Sequence, residues 1–431
     1  MSNTKELRVL PGVDPEDLLE CVHCGICLSV CPTYDLLGNE ADSPRGRIYM
    51  IRALAEGKTE LNENVVAHLD SCLGCRACET ACPSAVHYGE WLTAARGKIE
   101  KEFPRPAKDR RARRVLLDML TNPSVLAPAM FGARMMSGIF GKGGGPVGMV
   151  NKFLFGEHAP EMPIPKDASA KVQPLPDFTP AKGTRRAKVI VLGGCVMQVL
   201  FQRVNHATIR VLAENGCDVT VPRSAGCCGA FHMHNGFLDD ARVRAKALIQ
   251  EYERRDFDAI VINSAGCGSS MKEYGELFHD DPEWRARGEA IAAKCKDVSE
   301  FLADLGLIPP TQPYNRRVTY HDACHLAHAQ KVRSAPRELL KAIPGLELVE
   351  FKDPDWCCGS AGIYNFLQPE LAAQLQEKKV TNVLAVQPDV VVTGNPGCHS
   401  WIEAGMRARG NQAPVKHTIE VLDEAYRGVK P

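Results

Sequence analysis

The chain lacks any run of about 20 apolar residues, the length a helix needs to cross a bilayer, so no spanning helix is expected. It also lacks a surplus of charge: 52 basic side chains balance 52 acidic ones, which removes the electrostatic case for nucleic acid. Its first residues, MSNTKELRVL, hold no apolar signal segment, so a reducing, cytoplasmic setting is expected and disulfides are not. No glycine motif stands between a strand and a helix as a dinucleotide loop must; Gly143-Gly144-Gly145 lies in no such context. Neither FAD nor NAD is therefore expected on this chain, and any hydride chemistry belongs to another. With 431 residues, the chain is too long for one core, and two to three domains are the natural division.

What the chain has in excess is cysteine, 18 in all. Eight fall in two runs, Cys21-Val22-His23-Cys24-Gly25-Ile26-Cys27 through Cys31-Pro32, and Cys72-Leu73-Gly74-Cys75-Arg76-Ala77-Cys78 through Cys82-Pro83. Both read C-x2-C-x2-C-x3-C-P, the spacing that holds [4Fe–4S] cubanes in two-cluster ferredoxins. Three thiolates at two-residue gaps wrap three corners of a cube, and the fourth, leading into proline, completes the other cube. The expected ligand sets are Cys21, Cys24, Cys27 and Cys82 for one cluster, and Cys72, Cys75, Cys78 and Cys31 for its neighbour. Structural zinc is the alternative, but zinc sites pair separated C-x2-C units rather than triplets followed by Cys-Pro. Two cubanes in one small unit mean electron transfer.

Around these runs, Asp14 is a candidate cap for a short helix that delivers Cys21. Ser43-Pro44-Arg45-Gly46-Arg47 opens a helix whose Ile48, Ile51 and Leu54 keep a helical spacing and should pack under the clusters. Arg45 and Arg47 stand between two readings, charges that tune a cluster and solvated surface. Residues 90–120 read as helices rich in Arg and Lys, broken by Pro104 and Pro106. Residues 121–185 form an apolar, Met-, Gly- and Pro-rich connector, read either as an interface with a partner or membrane surface or as packing between domains.

From Arg186 onward the chain repeats itself. KVIVLGG leads to Cys195 and RVTYHDA to Cys324; CDVTVPRSAG ends at Cys227-Cys228-Gly229 and LELVEFKDPDW at Cys357-Cys358-Gly359. FDAIVINSAG reaches Cys267 and PDVVVTGNPG reaches Cys398, and the ends match as VSEFL against TIEVL. Equivalent cysteines lie 129, 130 and 131 residues apart, so an internal duplication is the reading. Each half alternates strand and helix, the pattern of a parallel sheet with crossovers. Ligands gather outside the carboxyl ends of such strands. Cys195, Cys227, Cys228 and Cys267 are thus a possible third site, and Cys324, Cys357, Cys358 and Cys398 a possible fourth. Cys217 and Cys295 have no counterpart in the other half and read as buried free thiols. The expected architecture is α+β overall: a helical two-cluster ferredoxin-like domain over 1–120, the connector over 121–185, and two α/β parallel-sheet cysteine-rich domains over 186–310 and 311–431.

The phrases CVHCGICLSVCPTYDLLGNE, SPRGRIYMIRAL, AGCCGA and CCGSAGIYNFLQPELA, with HAQK after Cys324, carry a family resemblance over nearly the full length. The chain resembles the iron–sulfur subunits of membrane-associated flavin dehydrogenases, in particular those of bacterial glycolate oxidase. The subunit of anaerobic glycerol-3-phosphate dehydrogenase is similar in layout, and a heterodisulfide-reductase-like disulfide reductase is the rival of another class. The resemblance implies FAD-containing partner subunits that oxidise a 2-hydroxy acid, electrons passing through the clusters toward quinone, and a peripheral place on the inner face of the cell membrane. It also implies that the duplicated modules can hold iron–sulfur clusters. Relatives often end each module in Cys-x-x-Cys, but here the ends are Cys267-Gly268-Ser269-Ser270 and Cys398-His399-Ser400-Trp401. His325 and His399, each beside a candidate ligand, are candidates to replace the missing thiolate of the second module.

Overall fold

The computed structural model describes residues 10, 12, 13, 16–140 and 174–429; Asp14 and the Gly143–Gly145 run lie outside them. The N-terminal part is helical, as expected. Ser43 caps helix Pro44–Ala55 by accepting the Gly46 amide, and Pro44 at its first turn has no amide to leave unpaired. Ile48, Ile51 and Leu54 are buried together with Leu69, Trp91 and Ile99, so one face of this helix and one face of Tyr88–Glu102 close a small core beneath the cysteine runs. Phe103 and Pro104 stop the second helix, and Ala107–Thr121 follows.

The connector begins as a helix, Pro123–Phe140. Among the described residues no single helix is long and apolar enough to cross a membrane; Ala107–Thr121 and Pro123–Gly132 reach that composition and length only as a pair bent by 97°. The connector ends as strand β1 (Phe178–Thr179), which pairs antiparallel with Val219 and Thr220.

The rest is two mostly parallel sheets. The first runs β1-β3-β2-β4-β5, with β2 (Ala187–Val191), β3 (Cys217–Thr220), β4 (Ala259–Ile262) and β5 (Cys295–Asp297) all parallel. The second runs β7-β6-β8-β9, with β6 (Arg317–His321), β7 (Glu347–Val349), β8 (Val390–Thr393) and β9 (Val415–Lys416) parallel throughout. Central strands AIVI and VVVT are buried at every position, the unbroken apolar pattern of strands covered on both faces. Capping boxes open the matching last helices: Asp297 and Glu300 for Val298–Leu305, His417 and Glu420 for Thr418–Arg427. One hydrophobic core takes side chains from both sheets, Val189, Val219 and Val261 alongside Val318, Tyr320 and Val392. The two modules are thus fused through a common interior. Cys217 and Cys295 start strands β3 and β5 and are buried in core.

Candidate metal centres

The two ferredoxin-type runs fold alike because their backbones turn at equivalent places. His23 and Gly25 in the first run, and Gly74 and Arg76 in the second, all have positive φ, between 54° and 83°. A left-handed residue costs about 1–2 kcal/mol unless it is glycine, so His23 and Arg76 are held there by their surroundings. Arg76 is gripped by Glu79 at 2.8 Å and by Glu273 of the first module. The result is a loop that points three sulfurs at one centre.

Cys21, Cys24, Cys27 and Cys82 line one cavity of about 30 Å³, and Cys31, Cys72, Cys75 and Cys78 line another of about 20 Å³; Cys78 borders both. The fourth cysteine of each run therefore faces the triplet of the other. The donor set fits two sulfide-bridged iron clusters: four thiols surround each space. Burial, and then the neighbouring thiols, push Cys27 up to about 11 and hold Cys75 and Cys78 well above the ordinary thiol value. Crowded thiols that resist ionisation one beside another are the electrostatic situation a bound cation relieves. Cys72 behaves differently. Burial alone would raise it, but Arg47 and Arg96, aided by the Tyr88 hydroxyl at 3.4 Å, bring it below the ordinary value.

Arg47 is 1% exposed and is no surface residue. It donates to the His68 carbonyl at 2.7 Å, Thr33 Oγ1 at 2.9 Å and Ser71 Oγ at 2.8 Å, and it pairs with Asp42. Breaking a buried charge network of this kind costs about 3–5 kcal/mol. Arg45 pairs with Glu40 near the surface and donates to the His23 carbonyl at 3.3 Å. Such a solvent-exposed pair is screened and contributes little. Arg47 is thus the residue that anchors positive charge beside the second quartet.

In the modules, every chemistry-bearing cysteine follows a strand. Cys195 comes after β2, Cys227 and Cys228 after β3, and Cys267 lies in the helix after β4; Cys324, Cys357, Cys358 and Cys398 repeat this after β6, β7 and β8. The Sγ atoms of Cys195 and Cys227 are 3.6 Å apart. Cys228 interacts with both Cys227 and Cys267. In the second module the chain of contacts is Cys324 to Cys357, Cys357 to Cys358, and Cys358 to Cys398. Each set of four comes together. A single cavity of about 150 Å³ is lined by every one of these cysteines except Cys227, and by Cys72 of the ferredoxin-type unit.

The two sets differ at one thiol. Hydrogen bonding with Cys195 and Cys228 brings Cys227 well below the ordinary thiol value, and the Gly229 amide donates to its sulfur at 3.4 Å. In the second module, Cys324, Cys357 and Cys358 all lie well above that value. The histidines also part company. His325 Nδ1 is 3.6 Å from Cys324 Sγ, and its ring packs on His234 at 4.7 Å. His399, expected beside the site, turns the other way, onto Phe201 at 5.0 Å and Arg203 at 3.4 Å, because its helix places position 399 on the face against the first module. The histidine that reaches the sulfurs is His321, the last residue of β6. It has a ring nitrogen within 4.8 Å of the Cys358 and Cys398 sulfurs. The sequence signal that could have found it is a histidine closing a strand three residues before a candidate ligand, where the first module has Leu192.

The second ferredoxin-type run is docked on both modules. Arg96 donates to the His234 carbonyl at 2.8 Å and to the Cys72 carbonyl at 2.6 Å. Thr80 meets His328 at 3.0 Å, and the Tyr364 hydroxyl donates to the Ser71 carbonyl at 3.1 Å. Cys75 packs with the second module's core and feels the charge of Cys324.

Comparison with known proteins agrees with this division. Residues 17–86 match a 4Fe-4S dicluster domain, and residues 189–272 and 318–403 each match the cysteine-rich CCG domain. The chain is 36% identical to the probable glycolate oxidase iron-sulfur subunit of Bacillus subtilis, over 99% of both chains. It is 33% identical to the glycolate oxidase iron-sulfur subunit of Escherichia coli, over 98% of both. Lactate utilization protein A of an Exiguobacterium is 32% identical over 54% of this chain and 96% of its own. A hypothetical protein from Helicobacter pylori shares the fold at a TM-score of 0.50 and 7% identity, covering 96% of this chain and 77% of its own. With a dicluster domain, two repeated CCG domains and full-length similarity to two such subunits, the chain belongs to the family of glycolate oxidase iron–sulfur subunits.

Proposed function

We propose that this chain is the electron-carrying subunit of a complex in which FAD-containing glycolate oxidase subunits oxidise glycolate, or a related 2-hydroxy acid, and quinone takes the electrons at the inner face of the membrane. The observation that carries this reading is the gradient of exposure from one thiol quartet to the next. Cys24 is exposed, and Val22 and Ile26 beside it are 69% and 51% exposed, whereas Cys72 and Cys78 are buried. Apolar side chains left open around a redox site suit a docking partner. When bound in the quartets, iron–sulfur clusters supply one-electron carriers whose potentials the surroundings set. Cys21, Cys24, Cys27 and Cys82 would hold the one nearest a flavoprotein, and Cys31, Cys72, Cys75 and Cys78 the inner one. Arg47 and Arg96 stabilise negative charge at Cys72, and Tyr88 donates to its sulfur. The helix Pro123–Phe140 is the proposed contact with the membrane or partner: Val125 and Phe131 are exposed on it, while the side chains of Met135 and Ile139 lie outside the described residues.

The test is purification from the host without oxygen, followed by addition of glycolate. A flavoprotein should co-purify, and glycolate should bleach the visible iron–sulfur band only in its presence. A lone chain that reduces a disulfide would replace this reading with that of a self-contained reductase.

A further inference from the structure

The second module carries a built ligand set that the first does not. His321 is fully buried at the end of β6. Its Nδ1 donates to the Pro354 carbonyl at 2.9 Å, which fixes the tautomer and leaves Nε2 with a lone pair. Among the described residues that Nε2 is buried without a hydrogen-bond partner, a state that costs free energy unless something occupies the nitrogen. The imidazole also offers a ring nitrogen within 4.8 Å of both Cys358 Sγ and Cys398 Sγ, which are that close to each other. Histidines that bind metals characteristically donate their other nitrogen to a carbonyl or carboxylate in this way. Cys357 and Cys324 continue the same chain of sulfurs.

We propose that the second module holds an iron–sulfur centre ligated by Nε2 of His321 together with Cys324, Cys357, Cys358 and Cys398. Five donors exceed the four that a structural zinc takes, which points to a cluster with more than one iron. The imidazole stands in for the thiolate that Cys398-His399-Ser400-Trp401 does not provide. The first module has Leu192 at the position of His321, so no imidazole occupies the equivalent place there. Imidazole in place of thiolate raises the potential of an iron–sulfur centre. The second module is thereby the better electron acceptor of the two, and it is the one packed against Cys75.

The test uses the full chain reconstituted without oxygen with iron and sulfide, in four forms: wild type, His321→Leu, His321→Cys and His325→Leu. Iron per chain and pulsed EPR of the reduced state, which detects nitrogen bonded to a paramagnetic cluster, are read together. The wild type and His325→Leu should show iron above the ~8 of two cubanes and a coordinated-imidazole nitrogen signal. His321→Leu should lose that signal and the extra iron of this module. His321→Cys should lose the signal but keep the iron, which separates lost ligation from a lost fold. The cubane signals should stay in all four, so failure here is distinguishable from failure of the relay reading. Iron of only ~8 in the wild type, zinc in place of the extra iron, no nitrogen signal, or a signal that persists in His321→Leu would each overturn the proposal.

Discussion

The two halves of the duplication share a sheet order, a Cys-Cys-Gly turn and a capped final helix, yet the atoms behind their sulfurs differ. Behind the second set stand His321 and Lys379. Lys379 is 1% exposed and donates to the carbonyls of Asp353 at 2.5 Å and Pro354 at 3.2 Å, within electrostatic reach of Cys358, Cys357 and Cys398. The residues 130 and 131 positions earlier, Ile249 and Leu248, are both buried and apolar. One half therefore keeps a fixed cation behind its thiols, and the other keeps a hydrocarbon wall with Cys227 nearer the surface. Duplication preserved the scaffold, and divergence fell on the charge that neighbours the sulfurs.

The sharpest way to break this comparison is at the shared turn. Gly359 has φ +92°, and an added Cβ would meet the Ala372 carbonyl at 2.7 Å; Gly229 has φ +84°, and the matching contact is 3.2 Å from the Ala241 carbonyl. Gly359→Ala should cost about 3 kcal/mol and Gly229→Ala about 1–2 kcal/mol, from left-handed strain plus the tighter contact. Denaturant midpoints measure this, and equal losses would mean the second turn yields as readily as the first.

Next in size is the buried cation. Lys379→Met should destabilise the protein by about 1–3 kcal/mol, because the Asp353 and Pro354 carbonyls lose their charged donor and keep only neutral ones. Ile249→Met at the apolar counterpart should cost less than ~1.5 kcal/mol as a hydrophobic exchange. If both substitutions cost the same, the charge behind the second set does nothing that packing does not.

A smaller effect lies in pH dependence, where the matching caps act in opposite senses. Burial raises Asp297 from 3.8 to about 6, so the folded state binds the extra proton. Its contribution is fully present below about pH 4 and lost as pH rises to about 6. Burial lowers His417 from 6.5 to about 4, so its contribution is present above about pH 6.5 and lost as pH falls to about 4. Relative to wild type, Asp297→Asn should make stability climb more steeply between pH 4 and 6. His417→Gln should flatten or invert that climb. Melting temperatures across this range decide it; profiles parallel to wild type would show that neither cap titrates there.

The smallest change is expected where the second module touches the ferredoxin-type unit at the surface. Lys378 and Asp35 pair at 2.8 Å with roughly a third or more of each side chain exposed. Lys378→Ala should shift stability by no more than ~0.5 kcal/mol. A larger loss in thermal melts would mean that this contact holds the two parts together.

Much of this architecture was legible because cysteine spacing and strand pattern carry position information over long distances. The offsets of 129 to 131 residues located both sheets and the loops that bring each set of four cysteines together. The parts that stayed hidden are those that depend on which way a side chain turns. His399 sits beside a thiol in sequence but faces Phe201, and His321 sits three residues from one but reaches two others, in the loops after the flanking strands β7 and β8. Arg47 and Arg45 look alike in SPRGR, and only the helix places one inward and one outward. The antiparallel strand β1 emerged from a Pro-rich stretch with no alternation long enough to mark it.

The common interior of the modules has a symmetry worth following. Helix Gln202–Glu214 of the first packs on Thr418–Arg427 of the second, with Arg210 on Asp423 at 2.8 Å, and Val298–Leu305 of the first packs on Ala335–Lys341 of the second. These two contacts exchange equivalent helices, as the two sides of an isologous dimer do. A chain with one such module would carry both halves of this contact on its own surface, so it would have a ready two-fold partner in a second copy of itself. The tandem chain is then the form in which that dimer is covalent, and only a covalent dimer lets its two sites drift apart while always assembling as one of each.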